Sequence, residues 1–456
     1  MKKIKLFDSI FAAVCIVLTV DTIAVAAGVG NSQYFWWLFL LITFFIPYAL
    51  ITAELGSKFP SESGIYGWIR DGLGHKWATR SAWYYWINFP LWMSSLAIII
   101  TDVLIYNLNL DINRWLVIII QLSYIAIVTF FSTKRIGTNK YYVNTGAMIK
   151  MTILCSLGLL GVYSAFKFGL SNQYTLQSLL PSFDKSGLAF LCVIVCNFLG
   201  FEIIATFSND MHHPKKEVPK AIIIGGLLIT IFYLLPLFSV NLAIPTADLQ
   251  KTTGLIDTYL VLFNKLQVAP DIINIIIYIV GGVFIYTLIA NIISWSFGVS
   301  SVVGYAAQDK NLPKFLTKQN KVGIHYYVPI VNAIVAGIII IIANLMPSNQ
   351  IDYFWTFFGF NIITFIMTYI PLFPAYLKLR KKPVNKEEVF EINWPTKLIT
   401  FVTYGAQIIL IITIILALFP SYDLNIIKSN LLLIIGVFIA IIVGEIIVHK
   451  SKNTRQ

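Results

Sequence analysis

The chain is divided into long apolar runs, and that feature constrains its fold more than any other. A run of about twenty apolar residues can cross the hydrocarbon core of a bilayer as one helix, because a helix pairs its backbone polar groups internally. Twelve such spans are expected, at 8–29, 34–55, 82–105, 114–132, 142–166, 186–208, 221–243, 272–304, 327–346, 353–377, 396–419 and 430–449. Composition agrees with this reading. Of 456 residues 58% are hydrophobic and 12% charged, where a soluble domain carries about 25% charged residues. The expected fold class is an all-α membrane protein. The N-terminal Met1-Lys-Lys-Ile-Lys5 and the alanines near Ala24–Ala27 resemble a signal peptide. The run between them is long for that role and contains Asp21, so it is read as span 1.

The net charge of +12 is unevenly placed. With the N-terminus inside, the inner segments hold 27 of the 33 Lys and Arg residues and the outer ones six. Lys150 is counted among the inner ones, near the inner end of span 5. Cytoplasmic loops accumulate Lys and Arg. The expectation is a multi-pass protein of the cytoplasmic membrane with both termini in the cytoplasm. This placement accounts for the basic balance without a nucleic-acid partner. Cys15, Cys155, Cys192 and Cys196 lie in apolar runs without a CxxC pair or nearby His, and read as small core residues. The five histidines fall in loops or at helix ends. No metal or cofactor is expected. Residues 378–395, charged and bearing Pro383 and Pro395, read as a plain cytoplasmic connector.

Charge inside a span costs at least about 2–3 kcal/mol and marks a cavity or a partner. Asp21 lies past the middle of span 1, and Glu202 in the second half of span 6. Gly200 interrupts span 6, and span 1 ends in Gly28-Val-Gly30. Interrupted helices at matching places of two halves point to a transporter binding site, where unwound backbone faces the ligand. Spans 1 and 6 match if the first ten spans form two inverted repeats of five. Asp21 then offers a negative charge to a cationic amine, couples a proton, or bonds to a neighbouring helix. Glu202 either meets substrate or pins the unwound segment. Trp295 in span 8 suits a cation–π contact, with ordinary packing as the alternative. Asn88 beside Pro90, Asn197 and Asn361 are polar interruptions able to line the same cavity. Glu54, closing span 2, is a candidate for an inner gate. Asp102 and Glu445 lie near helix ends and read as structural.

At these residues the chain resembles the amino acid–polyamine–organocation transporter superfamily, and within it the glutamate/GABA and agmatine/putrescine antiporter branch. Four stretches carry the resemblance, which covers spans 1 to 10. They are Asp21 through Trp37; Ala53-Glu-Leu-Gly56 with Phe59 through Trp68; Gly200-Phe-Glu202 through Lys220; and Ser294-Trp-Ser-Phe-Gly298 through Pro313. The resemblance implies a five-plus-five inverted repeat, 8–166 and 186–377, within a core of 1–377. Residues 378–395 connect it to two additional helices and a tail at 396–456. It implies alternating access around a site that takes in Asp21, Thr22, Phe201, Glu202, Tyr85 or Trp86, and Trp295. The flanking glycines usual at the break in span 1 are absent at Asp21 and come later. An acidic residue at the Asp21 position in agmatine/putrescine-type relatives favours an amine as one substrate.

The resulting expectation is a secondary transporter that exchanges an amino acid or amine for a decarboxylated or related amine. Its partners would be that small molecule and the bilayer, with monomer and homodimer both open. A proton-coupled symporter of the same fold is the first rival. A sensor that binds ligand without flux is another. No paired catalytic residues or metal-spaced His/Cys set supports an enzyme.

Overall fold

The computed structural model describes residues 4–20, 29–61, 63–134, 136–181, 185–249, 254–345, 350–384, 389–419 and 431–455. Among them eleven helices are long and apolar enough to cross a membrane, and they fall on spans 2 to 12. Span 1 contributes the shorter apolar helix Leu6–Val17. Asp21 and Thr22 lie outside the described residues.

The helices that run straight do so for lack of punctuation, and the irregular ones carry a visible cause. Span 2, Ser32–Lys58, contains one wide π turn at Leu41–Phe45. Pro47 follows directly and brings no N–H to the ladder, which eases the turn. Span 3 runs His75–Leu108 through Pro90. In the turn before that proline, Asn88 donates its side-chain amide to the carbonyls of Tyr84 and Tyr85 at 3.1 and 3.0 Å. A polar residue in an apolar helix is thus satisfied by its own backbone. Span 8 extends over Pro270–Gln308, 39 residues, longer than the roughly 20 needed to cross a hydrocarbon core.

Span 1 sits inside the bundle, packed by spans 5, 7 and 8 and by the second half of span 6. Span 3 lies along spans 8 and 10, and span 7 along span 5. Spans 11 and 12 pack outside this core, span 11 against spans 6 and 10, span 12 against spans 3 and 10. Their outward faces are apolar and exposed, as at Phe401, Ile408, Phe438 and Ile442, which is the surface a bilayer covers.

Candidate functional site

The site begins where span 1 stops being a helix. Its helix ends at Val17, four residues before Asp21 and well before Gly28 and Gly30. A helix that ends inside the bundle leaves carbonyls that need donors. Three neighbouring spans supply them. Lys150 of span 5 donates to the carbonyls of Cys15 and Leu18 at 2.7 and 2.6 Å. Asn291 of span 8 donates to Cys15 and Ile16 at 3.0 and 2.7 Å. Tyr233 of span 7 donates to the Val17 carbonyl at 2.9 Å and accepts from the Thr19 N–H at 2.7 Å. Lys150 is 1% exposed. Its charge also meets the negative pole of the helix. The count by sequence took Lys150 with the inner charges, near the inner end of span 5; its ammonium is instead buried against the end of the first helix. The ammonium is inside the bundle because carbonyls at the end of helix Leu6–Val17 hold it. The asymmetry of the remaining Lys and Arg residues is unaffected.

Span 6 breaks in register with span 1. The helix Lys185–Asn197 gives way to a 3-10 helix, Phe201–Asp210. Between them Gly200 has φ of +107°, a region that residues with a Cβ rarely enter. A Cβ there would lie 3.1 Å from the Trp295 ring and 3.4 Å from Val17. Trp295 leans on the break because glycine leaves room for it. Its ring centroid is 5.8 Å from Tyr85 and 5.3 Å from Phe365.

A cavity of about 60 Å³ lies between the two breaks, touching Thr19, Asn88, Asn197, Asn291, Trp295 and Asn361. That volume is enough for a few waters and too small for an extended organic ion. None of its described lining residues is charged. Thr19 donates to the Asn197 side chain at 3.1 Å, Asn361 to the Asn88 carbonyl at 2.8 Å, and Trp92 to the Asn291 side chain at 3.2 Å. The structure therefore brings together four residues singled out from sequence: Asn88, Asn197, Trp295 and Asn361. Tyr85 stands behind Trp295. Trp86 does not join them, since its indole N–H donates to Asn332 of span 9 at 2.8 Å. Thr19, Trp92, Asn291 and Lys150 were missed. Asn291 carried the same signal as Asn361, an amide inside an apolar run. Trp92 carried none.

Glu202 is placed by the neighbouring spans. It is 1% exposed and accepts from the hydroxyl of Tyr369 in span 10 at 2.6 Å and from that of Tyr48 in span 2. Phe201 packs on Phe45 and Tyr48 with centroids 5.4 and 4.7 Å apart. The pair fastens the 3-10 segment to spans 2 and 10.

Two polar clusters join the ends of the spans. In the first, buried Glu54 accepts from Lys58 at 2.8 Å, Tyr376 at 2.9 Å, the Ile392 N–H at 3.1 Å, and Arg380. Arg380 also donates to the Ile392 carbonyl at 2.7 Å, and the Phe390 N–H donates to Ser57 at 2.8 Å. The stretch 389–395 is therefore not a plain connector. It is strapped across the end of span 2 because Glu54 and Ser57 accept its backbone. In the second cluster, Asp309 accepts from Tyr66 at 2.7 Å and Arg70 at 2.8 Å, and Asn311 donates to Tyr66 at 2.6 Å. Burial raises the Asp309 carboxyl, but the bonds from Arg70 and Tyr66 outweigh it and hold it below the usual carboxylate range.

A family model described as amino acid permease matches residues 4–443. A probable agmatine/putrescine antiporter from Lactococcus lactis subsp. lactis is 39% identical over 456 residues, covering 100% of this chain and 96% of that protein. A glutamate/gamma-aminobutyrate antiporter from the same organism is 23% identical, covering 86% of this chain and 78% of its own length. An aspartate/glutamate permease from Lactococcus lactis subsp. cremoris is 22% identical over 85% of this chain and 81% of that protein.

Proposed function

This chain belongs to the amino acid permease family, and from that premise we propose that it exchanges small cationic amines across the membrane, one amine or amino acid for another, by alternating access. It is a multi-pass transporter of amino acids or amines and not an enzyme. One observation carries the narrower reading. The cavity between the broken spans offers amide and hydroxyl groups and an aromatic face at Trp295, and no described charge. Lys150, the nearby cation, is engaged by backbone carbonyls. Such a lining suits the hydrocarbon and N–H groups of an amine. The charge that would select it is Asp21, two residues beyond Thr19 in the sequence. The likeness to an agmatine/putrescine antiporter supports the same class. We further propose two inverted repeats, 8–166 and 186–377, and both termini in the cytoplasm, which the Lys and Arg distribution favours.

The test is flux in proteoliposomes preloaded with putrescine and challenged with labelled agmatine. Wild-type protein should exchange the two. Asp21→Asn should reduce exchange to background while keeping the elution profile and helical content of the wild type. Wild-type rates in that variant would remove Asp21 from the site. The second reading, a proton-coupled symporter, draws on Glu202 after the break in span 6 and on Asp21, a carboxylate in the sequence of span 1. It requires uptake into empty vesicles driven by a pH gradient, and no dependence on preloaded amine.

A further inference from the structure

One stripe of span 3 leads away from the cavity. Asn88, Trp92, Ser95, Ile99 and Asp102 follow one another at steps of four and three residues, the spacing of a single helix face. At the cavity that face points into the bundle. The Asn88 carbonyl accepts from Asn361 of span 10, and Trp92 donates to Asn291 of span 8. Asn88, Trp92 and Ser95 are 1%, 7% and 0% exposed, whereas Ile99 and Asp102 are half-buried. Access therefore returns along the stripe toward Asp102, which the helical rise places about 15 Å beyond Trp92. The helix begins at the opposite end with His75, whose Nδ1 is 3.3 Å from the Asn311 amide beside Asp309.

Asp102 has no hydrogen bond and no ion pair among the described residues. It stands between Ile98-Ile-Ile100 and Val103-Leu-Ile105, and the one polar neighbour, Thr101, turns its hydroxyl back to the Ala97 carbonyl at 2.9 Å. A carboxylate in an apolar span that no protein group answers faces water or a cation, because lipid would leave its charge unsolvated. On an inward stripe, at the end that the proposed orientation puts outside, such a charge concentrates cations over the entrance. We propose that Asp102 is an outer binding station for the cationic amine, where an ammonium group docks before passing along the stripe to the cavity. Ile99, half-buried one turn nearer the cavity, lies beside the methylenes. The inference rests on the amine reading and on the orientation given above.

The test compares the two faces of the membrane. Initial uptake of labelled agmatine is measured in right-side-out and in inside-out vesicles from cells expressing the full chain, both preloaded with putrescine. D102N should raise the ratio of outer to inner KM about fivefold, and D102E should keep the wild-type ratio, which separates charge from folding. In right-side-out vesicles the wild-type KM should climb with salt, from about 10 to about 300 mM, more steeply than that of D102N, because salt screens the field of the carboxylate. An unchanged ratio in D102N, a ratio as large in D102E as in D102N, or equal salt dependence overturns the proposal and leaves the amine reading intact. Asp102 would then be a carboxylate that only meets interfacial water. Wild-type vesicles that exchange no amine overturn the amine reading itself, and the outer station with it.

Discussion

Lys150 shows how a residue's meaning can depend wholly on its partners. In sequence it is a lysine near a span end, where such residues commonly reach back to the interface. In the structure its ammonium replaces the donors that helix Leu6–Val17 lacks at its end. Nothing in the residues around Lys150 announces this, because the carbonyls belong to a segment more than 130 positions away. The amides of Asn88, Asn197 and Asn361 were legible for the opposite reason. An amide in an apolar run must find a partner, and the broken helices are where partners and space occur together. Removing the Lys150 charge should be costly. Lys150→Met removes the donor from the Leu18 carbonyl, at about 1–3 kcal/mol for a buried group left unpaired, while the Cys15 carbonyl keeps its bond from Asn291. It should lower the melting midpoint by several degrees and reduce exchange by at least about tenfold through loss of the shape of the break. Tryptophan fluorescence melts and vesicle flux measure the two effects. A variant with wild-type melting and flux would show that the contact positions nothing.

At the scale of elements, spans 2 to 12 were readable to within several residues of their ends, because twenty apolar residues have few other fates in a membrane protein, while the helix of span 1 stops at Val17. The connections were less readable. Their structure rests on pairings between segments far apart in sequence, such as Tyr66 and Arg70 of the helix Gly64–Leu73 with Asp309. The link between spans 8 and 9 is held by His325, which is 3% exposed and seated against Gly304, where a Cβ would fall 2.1 Å from the ring. The side-chain amide nitrogens of Gln308 and Gln319 each lie 3.0 Å from its Nε2. Burial pushes the histidine from its ordinary 6.5 down to about 4. The sign follows from linkage. Between those two values the unfolded chain binds a proton that the folded chain refuses, so stability is complete above pH 6.5 and falls toward pH 4. The loss over that window is about 3 kcal/mol. His325→Gln should give a flatter pH dependence in detergent-induced unfolding across the same window. A slope equal to that of the wild type would mean that another group carries it.

For the whole molecule, transport requires the two ends of the bundle to open in turn, so the contacts that seal one end are part of the cycle. Two polar clusters link the spans at one end. Glu54 and Arg380 tie the end of span 2 to the end of span 10 and to residues 389–395, while Arg70 and Tyr66 tie the loop after span 2 to Asp309 after span 8. The two clusters share no residue, and together they join both halves of the expected repeat. A ligand moves such an equilibrium only by binding one facing state better than the other. Weakening contacts made in one state alone should therefore shift the resting population without altering the cavity lining. R380A/D309N removes one partner from each cluster and leaves Lys58 and Tyr376 to satisfy Glu54. Losses of about 1–2 kcal/mol at each cluster would move a resting ratio by tenfold or more. A cysteine placed at Ser57, beneath the strap, should then react with a soluble maleimide several times faster, and saturating amine should restore slow labelling if it favours the sealed form. Unchanged labelling in the double variant would mean that neither cluster is a gate, and that the end is closed by the packing of the helices themselves.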